Sequence, residues 1–129
     1  MELETYRLRL RHWCDDDLAA FAALNCDPEV MQFFPEVLSK QESADMAARI
    51  RRHLDEKGWG LWALEVKGVN PFIGYVGLAV PRFDAFFTPC VEIGWRLARS
   101  FWGQGFATEA ARSAISHGFG PLEIGRAHV

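Results

Sequence analysis

What the chain has little of narrows its class first. Its three cysteines, Cys14, Cys26 and Cys90, are an odd number without CxxC spacing. That pattern indicates neither a disulfide framework nor a zinc site, and it favours a reducing compartment. His12, His53 and His117 are scattered without i, i+4 pairing or a carboxylate at fixed spacing, so no metal is expected. No apolar run approaches the roughly 18 residues of a membrane span. Met1-Glu2-Leu3-Glu4-Thr5 lacks the basic segment and apolar stretch of an export signal, and a cytoplasmic protein without a membrane partner is expected. A formal charge of -3, with acids and bases interspersed, leaves no basic stripe for nucleic acid. Repeats, low-complexity tracts and linkers are absent too. What is left is one globular domain, 129 residues long and 50% hydrophobic, large enough to bury a core.

The patterning that is present reads as strand, helices, three strands, helix. Tyr6-Arg7-Leu8-Arg9-Leu10-Arg11 alternates with period two, predicting a strand with Tyr6, Leu8 and Leu10 inward and the arginines outward. Asp15, Asp16 and Asp17 supply capping and dipole-favoured charge to a helix with Leu18, Phe21, Ala22 and Leu24 on one side. Asp27-Pro28 is a second helix start, which Pro35 stops. Ser39-Lys40-Gln41-Glu42 is a capping box, and Ala47, Ile50 and Leu54 continue its stripe to Gly58. Trp59 to Val66 and Phe72 to Val80 form a hairpin across the turn Lys67–Pro71. Cys90 to Leu97 is a third antiparallel strand, after a loop carrying Phe83, Phe86 and Phe87. A helix from about Gly105 to His117 packs through Phe106, Ala110, Ala114 and Ile115. The fold class is α/β, or more strictly α+β, with a mostly antiparallel central sheet flanked by helices.

The most informative stretch is Val91-Glu92-Ile93-Gly94-Trp95-Arg96-Leu97 followed by Trp102-Gly103-Gln104-Gly105-Phe106-Ala107-Thr108-Glu109-Ala110-Ala111. It reads as a strand, a glycine turn and a helix start. The first N–H groups of such a helix lack intrahelical partners and, with the positive end of the dipole, favour an anion. Gly103 and Gly105 allow close approach of a phosphate to the backbone. A phosphorylated ligand is expected there. A Rossmann dinucleotide site is rejected, because Thr108 stands at the third glycine position and antiparallel strands precede the turn.

Thr5–Arg11, Phe72–Gly77, Glu92–Trp95 and Trp102–Ala110, in that order along residues 1 to 122, resemble the GNAT acetyltransferase superfamily and within it the RimJ/RimL-like ribosomal-protein N-acetyltransferase type. The resemblance implies acetyl-CoA as cosubstrate, with its pantetheine beside the third hairpin strand and its pyrophosphate on the glycine turn. The implied cofactor-binding residues are Leu97, Gly103, Gln104, Gly105, Phe106, Ala107 and Thr108. The implied reaction is acetyl transfer to a primary amine, on a protein N-terminus or a small molecule, by direct attack on the thioester. An acyl-CoA-binding module without turnover, or an inactive truncated acetyltransferase fragment, is the alternative. Ser100 stands where the family's turn usually begins with Gln or Arg. Family members add a strand, a helix and a last strand after the helix that ends here, and a tyrosine on that later helix often serves as general acid. Tyr6 and Tyr75, the only tyrosines, are not at that place.

Within this reading Glu92 is the candidate base, since a free amine with pKa near 10.4 is rarely neutral at pH 7. Alternation points it away from Val91, Ile93 and Trp95, toward a cleft or toward water. Phe33, Phe34, Phe83, Phe86 and Phe87 are candidates for the acceptor pocket. Arg99, Arg112 and Glu109 read as solvated or dipole-serving charges, and Cys90 as packing. The last seven residues, Glu123-Ile124-Gly125-Arg126-Ala127-His128-Val129, match the translation of a widely used sequencing adapter. The domain is therefore expected to occupy residues 1–122, incomplete at its C-terminus and lacking the last strands and helix, with 123–129 a non-native tail.

Overall fold

The computed structural model describes residues 2–79, 91–119 and 127–128. Strands β1 (Leu3–Glu4), β2 (Leu8–Arg11), β3 (Leu61–Val66), β4 (Asn70–Ala79) and β5 (Val91–Leu97) follow one another across an antiparallel sheet. A two-residue strand β6 (Ala127–His128) lies parallel to the start of β5, pairing with Val91 and Glu92. Helices α1 (Asp17–Asn25), α2 (Lys40–Lys57) and α3 (Phe106–Phe119) complete the α+β architecture. Among the described residues no helix is long and apolar enough to cross a membrane.

Helix α2 forms where local chemistry dictates. Ser39 accepts the Glu42 N–H at 3.0 Å while Glu42 accepts the Ser39 N–H at 2.9 Å, which satisfies two end donors at once. Gly58, at φ 77°, closes the other end. Ala47, Ile50 and Leu54 are buried along its inner face. Helices α1 and α2 cover one side of the sheet, where Phe21 meets Trp13, Phe72 and Tyr75 at ring distances of 4.9–6.2 Å. Helix α3 covers the other, and its His117 stands edge-on to buried Trp62 at 5.8 Å. Register places Trp62, Val76 and Trp95 in one row on the α3 side, and Ala63, Tyr75 and Arg96 in one row on the α1–α2 side.

Four local expectations are corrected. Tyr6 does not point inward; it is 94% exposed. A turn closed by Thr5 N–H to Leu8 O at 2.9 Å and Leu8 N–H to Thr5 Oγ1 at 3.1 Å breaks the alternation, and β2 begins only at Leu8. The outer face of β2 is also not simply solvated, since Arg11 lies under α1 in an ion pair with buried Asp17 at 2.8 Å. Asp16, at the start of α1, makes no side-chain cap; Asp17 instead accepts the Cys14 N–H at 2.9 Å. No helix follows Asp27-Pro28. Asp27 does cap Glu29 N–H at 2.9 Å, but between the two prolines the chain makes only separate turns. So short a stretch cannot offset the cost of helix nucleation.

Candidate active site

Strand β5 and helix α3 define the first half of the site. The strand is tied off where Ala98 N–H donates to Ile73 O at 2.8 Å, and a single 3-10 turn, Arg99–Phe101, leads into the glycines. Gly103 and Gly105 have φ of 74° and 80°, in the left-handed region that costs an L side chain about 1–2 kcal/mol. The first rung of α3 runs from Glu109 N–H to Gly105 O at 3.0 Å. The N–H groups of Phe106, Ala107 and Thr108 therefore precede the helical ladder, at the positive end of the dipole. They front a hollow of about 350 Å³ whose walls include Trp95, Leu97, Phe101, Trp102, Gly103, Gly105 and residues 106–108 themselves. The Trp102 indole N–H donates to Leu97 O at 2.9 Å, fastening the base of the turn to β5.

Of the residues expected to hold the cofactor, Leu97, Gly103, Gly105, Phe106, Ala107 and Thr108 thus come together around one hollow. Gln104 is not one of its wall residues. Its side chain donates to Ser100 O at 3.0 Å, which uses the backbone rather than the side chain of Ser100 to brace the turn. Arg99 reaches the turn that follows α1, pairing with Glu29 at 2.7 Å. Arg112 is exposed. Phe83, Phe86, Phe87 and Cys90 lie outside the described residues.

What holds this turn from behind leaves no local signal in the sequence. The Arg7 Nε donates to Glu109 Oε1 at 2.7 Å and the Arg7 backbone N–H to Glu109 Oε2 at 3.0 Å. Thr5 Oγ1 donates to the same carboxylate. Arg7 Nη1 donates to Gln104 O at 3.0 Å, and the guanidinium lies 4.4 Å from the centre of the Phe106 ring. Burial alone would raise the Glu109 pKa, but the hydrogen bonds from Thr5 and Arg7 and the guanidinium charge outweigh it, and the group sits below the ordinary carboxylate range. Glu109 was expected to serve only the helix dipole; it joins the chain's first strands to the glycine turn.

On the opposite side of the sheet lies a larger cavity of about 690 Å³, between α2, residues 31–38 and the sheet. Phe34 lines it, whereas Phe33 is 90% exposed. Its sheet wall includes Leu61, Ala79 and Arg96. Glu92 is half-buried on the same face of β5 as Arg96 and pairs in register with Ala79, although it is not among the described wall residues of the cavity. Strand alternation thus makes β5 a partition, with Trp95 and Leu97 toward the glycine hollow and Arg96 toward the α2 cavity.

Residues 7–129 match the family model described as "Acetyltransferase (GNAT) domain". The chain belongs to the GNAT acetyltransferase family. It is 34% identical over 128 residues to the uncharacterized protein YkkB of Bacillus subtilis (strain 168), covering 97% of this chain and 72% of that protein. It is 32% identical over 136 residues to the FsC-acetyl coenzyme A-N(2)-transacetylase of Aspergillus fumigatus, covering 98% of this chain and 55% of that protein. A GNAT-family acetyltransferase of solved structure from Bacillus anthracis superposes with a TM-score of 0.80 at 22% identity, covering 98% of this chain and 71% of that one. A ribosomal L7/L12 alpha-N-protein acetyltransferase solved with coenzyme A shares the fold at TM-score 0.70 and 18% identity, with coverage of 96% and 71%.

GNAT acetyltransferases take their acetyl group from acetyl-CoA and pass it to an acceptor, and the glycine hollow suits such a donor. It offers unpaired main-chain donors, a helix dipole and two left-handed glycines to a diphosphate, and Trp95, Leu97 and Phe106 to an aliphatic arm.

Proposed function

We propose that this chain is an acetyl-CoA-dependent N-acetyltransferase of the RimJ/RimL-like type, cytoplasmic, acting on a primary amine of a protein N-terminus or a small molecule. The observation that carries the reading is the set of N–H groups at residues 106–108, ahead of the first helical rung and facing an open hollow. Gly103, Gly105 and residues 106–108 would hold the diphosphate, and Leu97 would flank the arm that leads from it. Gln104 contributes by bracing the turn. The thioester supplies an acyl carbon already activated for attack. Glu92 takes a proton from the amine, directly or through one water, so that an uncharged nitrogen attacks. A C–N bond forms, the C–S bond breaks, and the proton lost by nitrogen balances the thiol released.

The domain is taken as residues 1–122, with 123–129 foreign to it on the strength of the adapter match; sequencing the genomic locus across these codons tests that assignment. Calorimetric titration with coenzyme A tests the cradle. Charge-assisted hydrogen bonds of roughly 1.5–3 kcal/mol each would give a dissociation constant of about micromolar from three or four donors. Gly105→Val should remove that binding while the far-ultraviolet spectrum stays native, because φ is 80° and a Cβ would already stand 3.3 Å from Arg7 Nη2. Undiminished binding would contradict the cradle. Thiol release from acetyl-CoA plus amine separates an enzyme from a binding module, and Glu92→Gln with unchanged turnover and pH profile removes Glu92 from the mechanism.

A further inference from the structure

We propose that Arg96, in the wall of the 690 Å³ cavity on the α2 side of the sheet, selects amine acceptors that carry a carboxylate, in the manner of an apolar α-amino acid. The assignment of an acceptor rests on the acetyl-transfer reading above; the assignment of a carboxylate rests on the cavity alone.

Arg96 is 7% exposed, yet among the described residues it forms no ion pair. Its Nη1 donates to Asn25 Oδ1 at 2.6 Å, and the Asn25 amide nitrogen is itself committed to Ser43 Oγ at 2.9 Å, so the orientation of that amide is fixed. The guanidinium lies 4.6 Å from the centre of the Phe34 ring and 5.4 Å from that of Tyr75. Its Nε, in contrast, is buried without a hydrogen-bond partner among the described residues. Aromatic faces, one neutral amide and the Met46 Sδ at 3.7 Å from Nη1 do not neutralise a desolvated cation, and an unpaired buried donor is costly. The acids on the same wall do not meet the need either. Glu36 is exposed and forms no ion pair with Arg96, Glu42 accepts the Ser39 N–H in the α2 cap, and Asp45 accepts from Gln41.

A guanidinium that is held at Nη1 and leaves Nε unpaired suits a planar carboxylate, which can take two parallel N–H donors from such a group. Beside the polar Glu36, Glu42, Asp45, Arg49 and His53, the wall carries the apolar Met31, Phe34, Val37, Leu38, Met46 and Ile50, and the volume accommodates a large aliphatic or aromatic side chain. Both features together describe an amino-acid-like molecule rather than a polyamine or an aminoglycoside. Because β5 partitions the sheet, such an acceptor lies on the face opposite the glycine hollow, and the two reactants would meet past the strand's outer edge.

The probes are N-acetylphenylalanine and N-acetylphenylalaninamide, titrated by calorimetry into the protein alone and into the protein saturated with coenzyme A. Phenylalanine and phenylalaninamide are compared as acceptors in parallel. The acid should bind about 10- to 100-fold more tightly than the amide, and kcat/KM should favour phenylalanine by a similar factor. Arg96→Met should bring acid and amide to equal affinity while coenzyme A binding is retained. Should Arg96→Met fail to fold, Arg96→Lys keeps the charge but loses the planar edge, and should cut the preference severalfold. Equal affinity of the two probes for the parent protein, no binding of either, or a preference undiminished from the parent's in a folded Arg96 variant overturns the proposal. If coenzyme A fails to bind, the acetyl-transfer reading falls, while the comparison on the protein alone still decides for or against the carboxylate site.

Discussion

Replacing Glu109 by alanine removes three donors' partner at once: Arg7 Nε at 2.7 Å, the Arg7 backbone N–H at 3.0 Å, and Thr5 Oγ1. Hydrogen bonds to a charged group contribute about 1.5–3 kcal/mol each when buried. Here the Arg7 and Glu109 side chains are 38% and 21% exposed, so solvent screens the ion pair and water recovers part of the loss. About 1 kcal/mol per contact is the appropriate scale, and the sum is about 2–3 kcal/mol. For a domain of this size that corresponds to a fall in Tm of roughly 6–12 °C. The same variant leaves the guanidinium on Gln104 O and the Phe106 ring without its ion pair, the one it has among the described residues, so coenzyme A affinity should drop about 3- to 30-fold. Glu109→Gln keeps an acceptor without the charge and should lie about midway. Thermal denaturation and calorimetric titration read the two effects separately, and a double-mutant cycle with Arg7→Ala should give a coupling of about 1–2 kcal/mol. A Tm within about 1 °C of the parent, with affinity unchanged and the cycle additive, would refute the reasoning.

Stability should be level above pH 7 and decline in two stages on acidification. His53 is held below its ordinary pKa by burial and then by the Lys57 charge, and His117 by burial. The unfolded chain therefore binds these protons first, and stability begins to fall as pH drops through about 6.5. Burial opposes but does not outweigh the partners that keep Asp17 and Glu109 below the usual carboxylate range, so their contribution is present above about pH 4 and is lost as pH falls through the folded values. Urea midpoints from pH 8 to pH 3 check this, and a rise between pH 7 and 5.5 would contradict it. Gly74→Ala should cost about 3 kcal/mol or more, because a Cβ there would stand 1.9 Å from the Arg96 carbonyl oxygen. A urea midpoint within error of the parent would show that β4 and β5 can separate freely.

Local chemistry was legible in the sequence and long-range pairing was not. Helix α2 carries its own start and stop in Ser39, Glu42 and Gly58, each satisfied within four residues. The glycine turn was legible for the same reason, since Gly103 and Gly105 declare the backbone they need. Asp17, by contrast, advertises a helix cap but is claimed by Arg11, a partner supplied by the neighbouring strand. Period two in Tyr6–Arg11 gave the strand, yet the Thr5–Leu8 turn that removes Tyr6 from it leaves no mark on that alternation. Arg7 and Glu109 were both inside motifs of the sequence reading, but their separation of 102 residues hides the bond between them. The cue to Arg96 was present in its position, a cation between Trp95 and Leu97 in a strand that is otherwise mostly apolar.

The clasp of Thr5 and Arg7 on Glu109 also sets an order of events during synthesis. Two of its members are made about a hundred residues before the third and must wait for it, whereas the β3–β4 hairpin closes on itself across Gly68 within a few. The backing of the glycine turn is thus finished late, by a segment made long before it. Bulky peptides fused ahead of Thr5 would meet the finished turn from behind, and a reporter attached there would sense whether that turn has closed.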